Sequence, residues 1–237
     1  MAGVTQGLSG FGSVLLSLPL LALLIDIKTV IPLVALFAVV LTIILLIQLW
    51  AFIDWRKVYP LLIGALGGIP VGVFFLKKMD KNLIQGLVGI TLIIFSLYSL
   101  WYGTTFRTLR RQWGIVFGFL AGCLGGAITA SGPPVIVYTS MQPWGKDAIK
   151  ATLQGFFFLA GLVIVISHAI SGITTVTVLR YFVVSVPFLI AGTYVGSFFY
   201  GMIEESVYKK ILFILLAILG AFMIFKATPW YQFLLKG

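Results

Sequence analysis

Ten residues in the second half of this 237-residue chain hold the chemistry best suited to a small anion: Gly125-Gly126-Ala127-Ile128-Thr129-Ala130-Ser131-Gly132-Pro133-Pro134. Thr129 and Ser131 supply hydroxyl donors. Glycine lets a ligand approach the backbone amide, because no side chain stands between them. Pro133 and Pro134 have no N–H and are tolerated where a helix begins, so they mark a new helix start with Ser131 near its N-cap. Such a start carries partial positive charge and amides without intrahelical acceptors, and it binds anions without a buried Lys or Arg. Close helix packing is the competing explanation for membrane glycines, and it is preferred for Gly64 to Gly72 and for Gly114 to Gly122. It explains glycines but not Thr, Ser and two prolines together.

The same theme occurs near the N-terminus, in Gln6, Gly7, Ser9 and Gly10. The expected substrate-binding set is therefore Gln6, Gly7, Ser9, Gly10, Gly125, Gly126, Thr129, Ser131, Gly132 and Gln154. Gln154 lies one turn past Lys150 and either donates to substrate or links helices. His168, the single histidine, is the candidate carrier of a coupling proton, against a plain interfacial role. Lys28, Lys146 and Lys150 read as solvated boundary charges before they read as an anion-attracting mouth. All six acids (Asp26, Asp54, Asp80, Asp147, Glu204 and Glu205) fall at segment boundaries. Intramembrane carboxylates are the usual proton relays and cation ligands, so their absence disfavours a cation transporter and leaves an anion pathway open. No Asp, His or Cys cluster suggests a metal, and no cofactor is expected. A Ser131/His168 hydrolytic dyad is a minor alternative resting on one Ser-Gly and one His.

These residues must be held in hydrocarbon. The chain is 61% hydrophobic and 9% charged, with mean hydropathy +1.15. A soluble protein needs far more polar residues to cover its surface, so the expected class is an all-α polytopic membrane protein. The start of the chain lacks a basic n-region, and no cleavable signal is expected. Cys123 alone forms no disulfide framework. The net charge of +10 reads as loops facing anionic lipid, not as a nucleic-acid surface. Nothing in the sequence supports an oligomer.

Charge clusters divide the chain into eight apolar segments, near 4–25, 29–53, 58–76, 82–102, 113–141, 150–170, 179–201 and 208–226. Most approach the ~20 residues that span hydrocarbon. Segment 113–141, with 29 residues, would run about 43 Å as one helix, too long for one upright crossing and too short for two. Two half-helices entering and leaving on one side fit it better. Gly68 to Phe75 matches Gly192 to Phe199 at an offset of 124, and Gly7, Gly10 and Pro19 match Gly122, Gly125 and Pro134 at 115. The expected organisation is one membrane domain of two four-segment repeats, 1–102 and 113–237, joined by a basic linker 103–112, with the first segment of each repeat broken. Eight full crossings leave Lys and Arg balanced 8 to 8. Making the first segment of each repeat re-entrant shifts the balance to 9 against 7, with 54–57, 103–112, 145–150 and 202–209 on the cytoplasmic side. Each repeat then has three crossings, and the repeats are inverted.

Gln6-Gly7-Leu8-Ser9-Gly10-Phe11-Gly12 followed by Pro19-Leu20-Leu21 resembles the TauE/SafE family of membrane transporters. Ala121-Gly122, Gly125-Gly126, Ser131-Gly132-Pro133-Pro134 and Trp144-Gly145-Lys146 look like that family's second signature, and Asp54-Trp55-Arg56 and Gly68 to Gly72 also fit. The resemblance covers nearly the whole chain. It implies a multi-pass protein of a bacterial or archaeal cytoplasmic membrane that exports small sulfur-containing anions such as sulfite, thiosulfate or organosulfonates. A passive anion channel shares every sequence feature used here and remains the alternative reading.

Overall fold

The computed structural model describes residues 12–101, 109–198 and 205–228. They form helices α1 (Ser13–Leu24), α2 (Ile27–Leu49), α3 (Trp55–Lys78), α4 (Lys81–Trp101), α5 (Trp113–Ile128), α6 (Gly132–Ser140), α7 (Lys146–Ile170), α8 (Val176–Phe198) and α9 (Glu205–Ala227), with a short 3-10 turn at Trp50–Phe52. Among the described residues there is no strand. Six helices (α2, α3, α4, α7, α8 and α9) are long and apolar enough to cross a membrane, and the chain is a multi-pass integral membrane protein. Large apolar side chains such as Phe188, Val183 and Ile166 are exposed on its flanks, where lipid takes the place of water.

Boundary acids start the helices. Asp26 accepts a hydrogen bond from the Lys28 amide at 2.9 Å, and Asp54 from the Arg56 amide at 3.1 Å, so each satisfies one orphan amide of a first turn. Partial burial pushes the Asp26 carboxyl up, but its ion pair with Lys81 and the Lys28 amide outweigh that and hold it below the ordinary value.

The segment 113–140 turns back on itself. α5 ends at Thr129, whose backbone is left-handed (φ 59°, ψ 11°), and α6 begins at Gly132. The Phe117 and Tyr138 rings lie 5.7 Å apart, and Gln142 Nε2 donates to the Leu109 carbonyl at 3.3 Å. Residues just before α5 and just after α6 therefore meet at one end of the bundle. A single crossing by this segment would put them at opposite ends. This hairpin agrees with the length of the uncharged stretch.

α3 holds the long arm of the hairpin. The helices run parallel, with Gly64, Gly68 and Gly72 of α3 against Ile115 to Ala127 of α5, and Gly118, Gly122 and Gly126 of α5 against Leu61 to Val73 of α3. A Cβ at these positions would collide with backbone of the other helix, as at Gly122, where it would come within 2.5 Å of the Ala65 carbonyl oxygen. Close packing is thus the role of these glycines. α2 and α7 run antiparallel: Gly161 faces Val39, and Gly155 faces Ile53. α4 and α9 do the same, with Gly89 against Gly220 and the Phe95 and Phe213 rings 5.6 Å apart. α1 runs from the interior to the Asp26 end, whereas the α5–α6 hairpin opens at the Trp144 end, where Lys57 sits 5.1 Å over the Trp144 ring.

Candidate functional site

Thr129, Ala130, Ser131 and Gly132 line a cavity of about 50 Å³. Gly12 to Leu15, the start of α1, form the facing wall. Ala35, Ala38 and Thr42 of α2 and Phe157, Gly161 and Ile164 of α7 close the sides. Ala38 and Phe157 fall at the middle of their helices, so the cavity sits near half-depth in the bundle. At roughly 10–15 Å³ per water it has room for a few waters or one small oxyanion.

Two helix starts converge here. Gly12, in the left-handed conformation at φ 90°, is the N-cap of α1, and Ser131 is the N-cap of α6. Neither helix has an acidic residue in its first turn, so nothing on either offsets the partial positive charge. Each start is equivalent to roughly half an elementary charge, and two together suit a monoanion. First-turn amides have no acceptor within their own helix. In α6 the prolines at 133 and 134 remove two of them, which leaves the amides of Ser131 and Gly132 as the donors of that turn. Among the described residues no charged side chain lines the wall.

Thr129 makes the turn rigid. Its hydroxyl donates to the Ile31 carbonyl of α2 at 3.0 Å, and it is the one described non-glycine residue with positive φ. A β-branched residue there carries strain of about 1–2 kcal/mol, which a tertiary contact must offset. Its amide donates to the Gly125 carbonyl at 2.8 Å. The Gly126 carbonyl, one residue on, accepts from His168 Nε2 at 2.9 Å. His168 is fully buried, so this bond caps the end of α5 from a different helix. His168 Nδ1 has no hydrogen-bond partner among the described residues, and no bond joins Ser131 to His168.

The expected site residues thus separate. Thr129, Ser131 and Gly132 share the cavity wall. A Cβ on Gly132 would meet only the ends of Ile136 and Phe157, at 3.7 and 3.8 Å, so its missing side chain keeps space for a ligand. Gly125 instead admits Ile164 and Ser131, and Gly126 packs on Ile69 and Val73 of α3. Gln154 is buried on α7 one turn before Phe157 but lies off the wall. Gln6, Gly7, Ser9 and Gly10 lie outside the described residues. The sequence reading did not include the α2 wall. Its signal was available as small residues Ala35, Ala38 and Thr42 at helical spacing in an otherwise bulky helix. Among the described residues no group of His, Cys, Asp and Glu could hold a metal ion.

A helical hairpin and a second helix start around a cavity, inside a bundle of helices long and apolar enough to cross a membrane, fit the broken-helix construction of transport proteins. The chain belongs to the sulfite exporter TauE/SafE family, which matches residues 1–223. It is similar to a probable sulfite/organosulfonate exporter TauE of Cupriavidus necator, with 27% identity over 184 residues, covering 75% of this chain and 72% of that one. No solved structure matches.

Proposed function

We propose that this chain is a secondary transporter exporting a small sulfur-containing anion such as sulfite, thiosulfate or an organosulfonate, bound between the first turns of α1 and α6. The observation that carries the reading is the convergence of two helix starts on an uncharged cavity at half-depth. Fixed backbone dipoles attract an oxyanion there and release it readily, because no Lys or Arg holds it. The Ser131 hydroxyl adds one adjustable donor. Family membership supports the substrate class.

Two inverted repeats, 1–102 and 113–237 with linker 103–112, complete the proposal. The antiparallel pairs α2 with α7 and α4 with α9 support inversion, since equivalent helices of parallel repeats would run the same way. Alternating access then moves the two repeats, or their hairpins, around a fixed site. Flux of sulfite, thiosulfate and methanesulfonate through proteoliposomes is the test. Gly132→Leu fills the cavity and abolishes flux, and Ser131→Ala weakens half-saturation several-fold. Wild-type transport by both variants refutes the site.

A further inference from the structure

A second cleft opens at the base of the hairpin. It has a volume of about 280 Å³ and is lined by Arg56 and Lys57 from α3, Arg111 from the approach to α5, and Tyr138, Gln142 and Trp144 from the end of α6 and beyond. It shares no lining residue with the central cavity. Lys57 pairs with Asp54 at 3.5 Å and lies over Trp144. Among the described residues no carboxylate pairs with Arg56 or Arg111. Three cations from two separate segments therefore face one cleft, and among the described residues only Lys57 of the three has an ion-pair partner. Arg56 and Arg111 are exposed to the cleft, and Tyr138 and Trp144 add aromatic surface to its wall. Gln142 is buried and tied to Leu109, so the wall joining the two ends of the hairpin is fixed in place. The neighbouring Trp50, Trp55 and Tyr59 rings pack in series, as aromatic residues do at head-group depth.

We propose that this cleft is a second anion site, distinct from the transport cavity, that takes a tetrahedral oxyanion group through the guanidinium groups of Arg56 and Arg111. The group comes either from the phosphate of an anionic lipid or from a soluble sulfate or sulfonate. Arginine presents paired donors that match such oxygens, and basic pockets between membrane helices bind anionic head groups. An occupant links the start of α3 to both ends of the hairpin and so steadies the arm that carries the Thr129 turn.

The purified full chain in neutral detergent tests this. Trp144 fluorescence, taken as the difference from Trp144→Phe, is followed while adding sodium sulfate, methanesulfonate, dihexanoyl phosphatidylglycerol or dihexanoyl phosphatidylcholine. Saturable change with phosphatidylglycerol but not sulfate assigns the site to lipid. Saturation with sulfate or methanesulfonate assigns it to soluble anions. In either case phosphatidylcholine is silent, and Arg56→Gln or Arg111→Gln weakens half-saturation about tenfold, the value of one charged hydrogen bond. Arg56→Lys and Arg111→Lys, which keep the charge, weaken it less and stand in if a Gln variant does not fold. Ser131→Ala leaves this titration unchanged even where it impairs transport, so the two sites fail separately. No saturable change with any anion, or wild-type affinity in the arginine variants, overturns the proposal.

Discussion

Gly67 and Gly68 are adjacent on α3, yet one added methyl should move stability in opposite directions. At Gly68 a Cβ would stand 2.8 Å from the Cys123 amide nitrogen and closer still to the Phe119 carbonyl oxygen, both of them α5 backbone. At Gly67 the nearest atom is the edge of the Phe119 ring at 3.7 Å, an ordinary contact. Alanine is favoured over glycine inside a helix by up to about 1 kcal/mol. At Gly67 nothing opposes that gain, and Gly67→Ala is expected to stabilise by about 0.5–1 kcal/mol. At Gly68 the helices must part by roughly 1 Å, and a gap of that order forfeits up to about half of each atom pair's attraction along the seam. Overpacking of this kind costs about 1–3 kcal/mol, so Gly68→Ala is expected to lose about 1 kcal/mol, and at most about 2.5 kcal/mol, after the propensity gain. Unfolding in mixed micelles, titrated with dodecyl sulfate and followed by circular dichroism, measures both variants against wild type. Because α5 carries the Thr129 turn, Gly68→Ala should also lower anion flux. If both variants shift the same way, or Gly68→Ala unfolds at the wild-type midpoint, the backbone contact between α3 and α5 is not what these glycines serve.

Two further perturbations probe the turn itself. Thr129→Val keeps the β-branch in a left-handed backbone and removes the bond to Ile31, so it should cost about 1 kcal/mol or more, whereas Thr129→Gly loses the bond but also the strain and should stay within about 1 kcal/mol of wild type. Equal losses in the same unfolding titration would show that strain at Thr129 is negligible. His168→Leu leaves the buried Gly126 carbonyl without a donor and should cost about 1–3 kcal/mol, while His168→Gln supplies an amide donor and should retain much of the stability. Equal unfolding midpoints for the two variants would refute the capping role, and flux measured at several pH values in His168→Gln tests whether the ring also carries a coupling proton.

Much of this architecture was legible in the residues. The 29 uncharged positions from Trp113 to Met141 are too long for one upright crossing and too short for two, and with the Gly125 to Pro134 break a hairpin fits them better than a steeply tilted helix. The packing glycines were legible too, because Gly64, Gly68 and Gly72 repeat every fourth residue and so share one helix face. The separation of Gly126 from Gly132 was not. Both sit in the same polar break, but one Cβ would strike Ile69 of α3 and the other only the loose ends of Ile136 and Phe157. Identical residues acquire different roles from what stands opposite them, and that neighbour is distant in the chain.

The sequence by itself determined the membrane class, the broken segment and its reversal, since these depend on charge, length and local backbone chemistry. Only the tertiary structure decided what surrounds the break. It brought the start of α1 to the start of α6 across more than a hundred residues, added the small-residue face of α2, and set His168 on the Gly126 carbonyl. Helical periodicity defines a face but not its partner. Which faces meet depends on how backbones pack at contact distance, and the anion-sized space at half-depth exists only where two helix starts are held apart by that packing.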